Sequence, residues 1–167
     1  VVILIAALRI NFYAAMYTTE KASNSVTDII LSNIRVYDVS TIFIYGPLIL
    51  WIFAGYILLI EPRRIPFTLK SIALFVVIRS IFISLTHIAS FPTSLTIPPA
   101  SFINNFTSTE DLFFSAHTGL PFLLALIFWE NIYLRILFIA SALLFGVIVL
   151  LGHLHYSIDV LSAFFIT

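Results

Sequence analysis

Apolar residues run through this chain in long stretches, with polar residues gathered in short intervals between them, which is the pattern of helices whose solvent is lipid. A membrane-crossing helix needs about 20 mostly apolar residues. On that measure six spans are expected, at about residues 1–17, 41–60, 69–90, 113–129, 134–152 and 154–167. The expected fold class is therefore all-α, a polytopic integral membrane protein in which residues 1–167 form one bundle of about six transmembrane helices. Between the first two spans, Val26, Ile29, Ile30 and Ile34 recur at helical spacing behind Ser25 and Thr27, which predicts a short interfacial helix with a hydroxyl cap. Residues 91–105, FPTSLTIPPASFINN, are rich in Pro, Ser and Asn and predict an irregular loop. Asn105-Phe106-Thr107 within the loop from 91 to 112 matches a glycosylation sequon, a pattern short enough to arise often by chance. The chain opens on Val1 and its last segment, VLSAFFIT, is still apolar where it stops, so both ends read as cut from a longer chain.

Composition sharpens this picture by exclusion. With 61% hydrophobic and 10% charged residues, and a mean hydropathy of +1.13, the chain lies outside the range of soluble globular domains. Eight basic residues balance eight acidic ones, so no basic surface points to nucleic acid. The absence of cysteine removes disulfides, thiolate nucleophiles and thiolate metal sites, and any chemistry falls to His, Asp, Glu, Ser, Thr, Tyr, Arg or Lys. There is no internal repeat, and the five glycines do not pair between halves, so an inverted-repeat transporter gains no support.

Charge in the short loops sets an orientation. Arg63, Arg64 and Lys70 follow the second span and Arg135 follows the fourth, which predicts that these two loops are cytoplasmic. The loop from 91 to 112 has no Lys or Arg, and with the junction near residue 153 it is expected on the opposite face. Loop 18–40 must share that face, where its Lys21 and Arg35 are offset by Glu20, Asp28 and Asp38.

Two segments carry the candidate chemistry. In GHLHYSIDV, His155 and Asp159 stand four residues apart and, on a helix, would share one face. A carboxylate so placed fixes the imidazole tautomer and leaves the other ring nitrogen free to attack. The blander alternative is a pair that only offsets the cost of burying each partner. In EDLFFSAHTGLPF, the segment Ser115–Thr118 lies where a polar loop meets a span, and a helix start attracts anions such as phosphate. There Ser115 and Thr118 would add hydroxyl donors and His117 a general acid, unless Ser115 merely caps the helix and His117 merely sits at the interface. Both segments fall at the same, non-cytoplasmic ends of their spans, so a helix bundle can bring them together. Arg79 lies deeper in the third span, with His87 nearer its external end; an intramembrane arginine suits a phosphate, or else an internal acid such as Asp111 or Asp159.

Ser115-Ala116-His117-Thr118 together with His155-Tyr156-Ser157-Ile158-Asp159-Val160 resembles the type 2 phosphatidic acid phosphatase superfamily, and more closely its sphingomyelin synthase-related branch. In that branch an Asp precedes the first motif histidine by six residues, as Asp111 precedes His117; a His stands two before the nucleophile, as His153 does; and an Arg lies on the third span, as Arg79 does. The stretch KASNSVTDIILSNI is also similar to bacterial relatives of these phosphatases, which points to a bacterial plasma membrane. The resemblance implies a six-span bundle in which His155, oriented by Asp159, attacks phosphorus while His117 protonates the leaving oxygen. Arg79, Asp111, Ser115, Thr118 and Tyr156 are the residues expected around the substrate. Membrane lipids are the expected partners, and neither metal nor cofactor is called for.

The departures from the family pattern bear on the substrate. Lys70 and Arg79 are nine residues apart with no following Pro, where the phosphatase branch has a Lys followed seven residues later by Arg-Pro. Val149 stands where that branch has an arginine. Fewer cations favour a phosphodiester monoanion over a monoester dianion, and so transfer of a phospho-head group to a lipid or alcohol acceptor, or to water, over plain monoester hydrolysis. Ala116 replaces the usual Gly, which keeps an inactive lipid-binding relative in view. Two readings stand apart from the family. One is a channel or transporter using Arg9, Arg79, His87, His117, His155 and Asp159 as a polar path. The other is a zinc site of His117, His153, His155 and Asp159, although His153 and His155, two apart, diverge on a helix.

Overall fold

The long apolar runs become helices, and local chemistry sets where each begins. The computed structural model describes residues 1–21, 23–95 and 114–167, and every regular element among them is helical. These are α1 (Val2–Lys21), α2 (Ser40–Ile60), α3 (Ile65–Leu85) preceded by a 3-10 turn at Pro62–Arg64, α4 (Ala116–Ile127), α5 (Ile132–Leu151) and α6 (Ser157–Ile166). At the start of α2, Asp38 Oδ1 accepts from the Ser40 N–H at 3.1 Å and from its hydroxyl at 2.7 Å. α3 has proline in its first turn, where a missing N–H forfeits no intrahelical bond. Asn131 caps α5 by accepting from the N–H groups of Tyr133 and Leu134 at 3.1 and 3.2 Å.

Four of these elements are long and apolar enough to cross a membrane: α1, α2, the 3-10 turn with α3, and α5, at 20 to 24 residues each. The 12 residues of α4 reach only about 18 Å, against a hydrocarbon core of about 30 Å. Hydropathy alone could not see this difference. The expected sixth span begins at 154, but His153 takes a left-handed backbone (φ 52°) and residues 153–156 are spent in a turn, so α6 starts only at Ser157. The third span is shifted from the expected 69–90 to 65–85, because from Thr86 onward the chain is extended and bonds to other loops.

The expected helix at 25–34 is a single turn. Its cap is Asp28, whose Oδ1 accepts from Ile30 and Leu31, and the residue it buries is Leu31 (1% exposed), whereas Ile29 faces outward. Its apolar residues are spaced to dock a loop rather than to line one helix face: Leu31 packs with Tyr156, Ile34, Ile88 and Phe91. The loop 91–112 and its sequon, Asn105 included, fall outside the described residues from position 96 onward.

α1 lies along α3 with Ala7, Ala14 and Thr18 inward, and the Thr18 hydroxyl donates to the Ile83 carbonyl at 3.1 Å. Small inward residues allow close helix approach, the main source of association in lipid. α4 and α5 form an antiparallel hairpin and α6 packs on α4. At one end Arg64 joins the end of α2 to the α4–α5 turn, meeting Glu61 at 2.5 Å, Glu130 at 3.5 Å and the Ile127 carbonyl at 3.2 Å. At the other end three loops are stitched together: Ser23 N–H to the His87 carbonyl (2.8 Å), Tyr37 N–H to that of Leu151 (2.9 Å) and Leu95 N–H to that of Gly152 (3.0 Å). The basic turns and the histidine motifs are thus separated by the length of α2, about 30 Å.

Candidate active site

Asp159 lies in the first turn of α6, where a carboxylate satisfies an unpaired N–H and meets the positive end of the helix dipole. Its Oδ2 accepts from the Tyr156 N–H at 2.9 Å and stands 3.5 Å from His155 Nδ1. The two residues therefore meet as expected but for a different reason. They do not share a helical face; His155 precedes the cap, and the carboxylate reaches back to it while closing the cap. Asp159 is wholly buried, and its Oδ1 has no hydrogen-bond partner among the described residues.

The second segment comes to the first through backbone. Ser115 N–H donates to the Asp159 carbonyl at 3.3 Å, joining the start of α4 to α6. Ser115 occupies the cap position of α4 without a side-chain cap bond, so its hydroxyl is not spent on capping; it accepts from Thr118 Oγ1 at 3.5 Å. Thr118 is fully buried against α5, where a Cβ placed on Gly146 would lie 3.5 Å from its hydroxyl. His117, one residue into α4, stacks on Phe43 of α2 with ring centroids 4.1 Å apart and 25° between planes. Both His155 and Arg79 are within electrostatic range of its ring. Pro121 lies four residues after His117 and has no N–H to return to it, so the His117 carbonyl is released from the helix ladder beside the site.

Arg79 is buried, with Nε donating to the Phe114 carbonyl at 3.0 Å and Nη1 to Asn11 Oδ1 at 3.0 Å. Phe114 has a left-handed backbone (φ 67°), uncommon for a bulky residue, and this turns the chain into α4 with its carbonyl toward the guanidinium. Arg79 therefore ties α1, α3 and the entry to α4 together. The site is recessed: Phe43 is three residues, about 5 Å, inside the start of α2, and Gly146 five residues, about 8 Å, inside the end of α5.

The remaining expected site residues divide. Tyr156 is buried with both hydroxyl valences occupied, accepting from the Val26 N–H at 3.3 Å and donating to the Ala89 carbonyl at 2.8 Å, which makes it an anchor for two loops. Asp111 lies outside the described residues. His87 follows α3, its carbonyl held by Ser23 and its ring edge-on to Tyr17 at 5.2 Å. His153 meets Thr93 Oγ1 through Nδ1 at 2.6 Å, and burial holds its ring below the usual imidazole range although Asp28 opposes the shift. Among the described residues no three His, Asp or Glu side chains gather as metal ligands.

Sequence reasoning passed over Phe43, Phe114 and the partnership of Asn11 with Arg79. Phe43 carried one local signal: like His117, it stands four residues before an in-helix proline, here Pro47. No curated protein and no solved structure matches the chain. Residues 109–167, the stretch that carries His117, His155 and Asp159, match the family described as PAP2 superfamily C-terminal.

Proposed function

We propose that this protein is a multi-pass membrane enzyme that transfers a phospho-head group from a phospholipid to an alcohol, a lipid hydroxyl or water through a phosphohistidine on His155. The observation that carries the proposal is the approach of Asp159 Oδ2 to His155 Nδ1 at 3.5 Å, with His117 held nearby at the start of α4, inside the stretch that matches the family. Asp159 keeps the proton on Nδ1, so the Nε2 lone pair attacks phosphorus. A P–N bond forms, the P–O bond to the leaving alcohol breaks, and that oxygen takes its proton from His117. In the second half the acceptor hydroxyl gives its proton to the now neutral His117 as its oxygen displaces His155 from phosphorus. Arg79, the α4 N-terminus and the hydroxyls of Ser115 and Thr118 supply the field and donors for the phosphoryl oxygens, with Asp111 adjoining them in sequence.

The modest positive charge supports a diester donor. Val149, where the phosphatase branch has an arginine, is fully buried in an apolar cluster with Phe43, Ile148, Leu154 and Val160. The site faces away from the cytoplasm, on the reading of the basic turns, and draws lipid from the outer leaflet.

The test is protein reconstituted into vesicles containing a phospholipid labelled in its phosphate. Acid quench-free trapping should give an acid-labile, base-stable phosphoprotein and a labelled product, and His155→Ala should abolish both. A His155→Ala protein that turns over at the wild-type rate would remove this mechanism.

A further inference from the structure

We infer that Asp28, on the loop 23–39 far from the motifs in sequence, is a positioning residue for the His155–Asp159 pair; the inference rests on the function proposed above. Its carboxylate is divided between two tasks. Oδ1 closes its own turn, accepting from Ile30 and Leu31 N–H at 2.8 and 3.1 Å. Oδ2 accepts from the backbone N–H of Ser157 at 2.7 Å and from its hydroxyl at 2.8 Å. Ser157 is the first residue of α6 and lies between His155 and Asp159. The Ser157 N–H is one of the four at a helix start with no intrahelical partner, and an anion there also meets the helix dipole.

The neighbouring bonds turn this clamp into a frame. Tyr156 is held at its hydroxyl by Val26 and Ala89 and at its N–H by Asp159, whose same oxygen faces His155. The nucleophile sits just before the helix cap, outside the α6 hydrogen-bond ladder, so its position follows from how the cap is held. Asp28 is 7% exposed and Leu31 beside it 1%, so the clamp is a packed feature of the loop. The Asp28 carboxylate spends its hydrogen bonds on Ile30, Leu31 and Ser157. Its effect reaches the reaction through the aim of Nε2, and a displacement on the order of 1 Å can cost on the order of a hundredfold in rate.

Asp28→Asn keeps the shape but turns an NH2 group toward donors at one of the two arms. Ser157→Ala removes only the hydroxyl arm and leaves the backbone bond. With the reconstituted protein and phosphate-labelled phospholipid, single-turnover labelling separates the number of competent molecules, read as the plateau, from the aim of the nucleophile, read as the rate constant. The expected result for Asp28→Asn is an unchanged plateau per folded molecule, labelling slower by about 10- to 100-fold, and a kcat lowered equally with KM within about twofold. Ser157→Ala should slow labelling several-fold, and the double variant should be no slower than Asp28→Asn, because both break one clamp. A lowered plateau with a wild-type rate constant would make Asp28 a folding residue only and overturn the inference. Should Asp28→Asn fail to fold, wild-type labelling kinetics in Ser157→Ala would overturn it instead. A wild-type protein that never labels would defeat the proposed function, and this inference with it.

Discussion

The His117 ring has one face against Phe43, and this near-parallel stack leaves the ring nitrogens at its edge to meet substrate. An aromatic pair of this kind contributes about 0.5–1.5 kcal/mol, equivalent to about two- to tenfold in rate if the stack is what keeps the ring aimed. Phe43→Leu is therefore expected to lower turnover of a phospholipid by about that factor while sparing a substrate with a nitrophenol leaving group, which needs little protonation. An equal loss on both substrates would show that Phe43 does not act through His117. The contrast between Phe43 and His117 shows what the sequence made legible at this scale. A histidine or aspartate in an apolar run is conspicuous, and His155 and Asp159 lie within one short motif. Phe43 is one of 17 phenylalanines, and its one local mark, a place four residues before Pro47, says nothing of the ring it meets. Asn11 and Arg79, 68 residues apart, are each conspicuous alone, but their pairing depends on α1 packing along α3.

Helices were legible where their length and polarity agreed, as in α2 and α5, and less so where a turn is itself apolar. Leu154, between two histidines, is buried and reads as span, yet the backbone there is a turn. The short α4 has a consequence for stability, because it is wedged between α3 and α5. A Cβ added to Gly119 would fall 2.6 and 2.7 Å from the Phe75 ring, which is buried and packed against Phe114 at 4.8 Å and so has little room to yield. Gly119→Ala is expected to cost about 1–3 kcal/mol, seen as a lower unfolding midpoint in detergent. A midpoint within a degree of wild type would mean that α4 shifts freely. The loop 23–39 was legible as polar but not as a clamp, since its partner Ser157 is 129 residues away. It carries a pH signature. Burial raises the Asp28 pKa, but the hydrogen bonds from Ser157, Leu31 and Ile30 outweigh it, and the net value lies below that of an ordinary aspartate. A lowered folded pKa adds stability above the unfolded value of about 3.9 and loses it as pH falls through the lower folded value. The gap in unfolding midpoint between wild type and Asp28→Asn should accordingly hold from about pH 7 to 5 and begin to narrow below about pH 4. A gap that does not narrow at all on acidification would assign the clamp to shape rather than charge.

For the whole molecule, the decisive relation is that the two ends differ in kind. One is closed by Arg64 with Glu61 and Glu130, beside Arg135 stacked 4.6 Å from the Trp129 ring; the other is closed by backbone bonds among loops 23–39, 86–95 and 152–156 around the histidine motifs. Basic residues in short loops are retained on the cytoplasmic side, so the histidine end should open outward. In loop 18–40 Asp28 accepts from Ile30, Leu31 and Ser157 and Asp38 from Ser40, so the loop belongs with the histidine end whatever its Lys21 and Arg35 would favour. Because the chain has no cysteine, a single introduced thiol reports its own side of the membrane without background. Ser25→Cys lies on the exposed part of the 23–39 loop, and Glu130→Cys replaces a side chain that is 88% exposed and whose ion pair contributes little. In intact cells an impermeant maleimide should label Ser25→Cys at once and Glu130→Cys only after permeabilisation. The reverse pattern would place the motifs in the cytoplasm, move the lipid source to the inner leaflet, and require the basic turns to have been translocated against their charge.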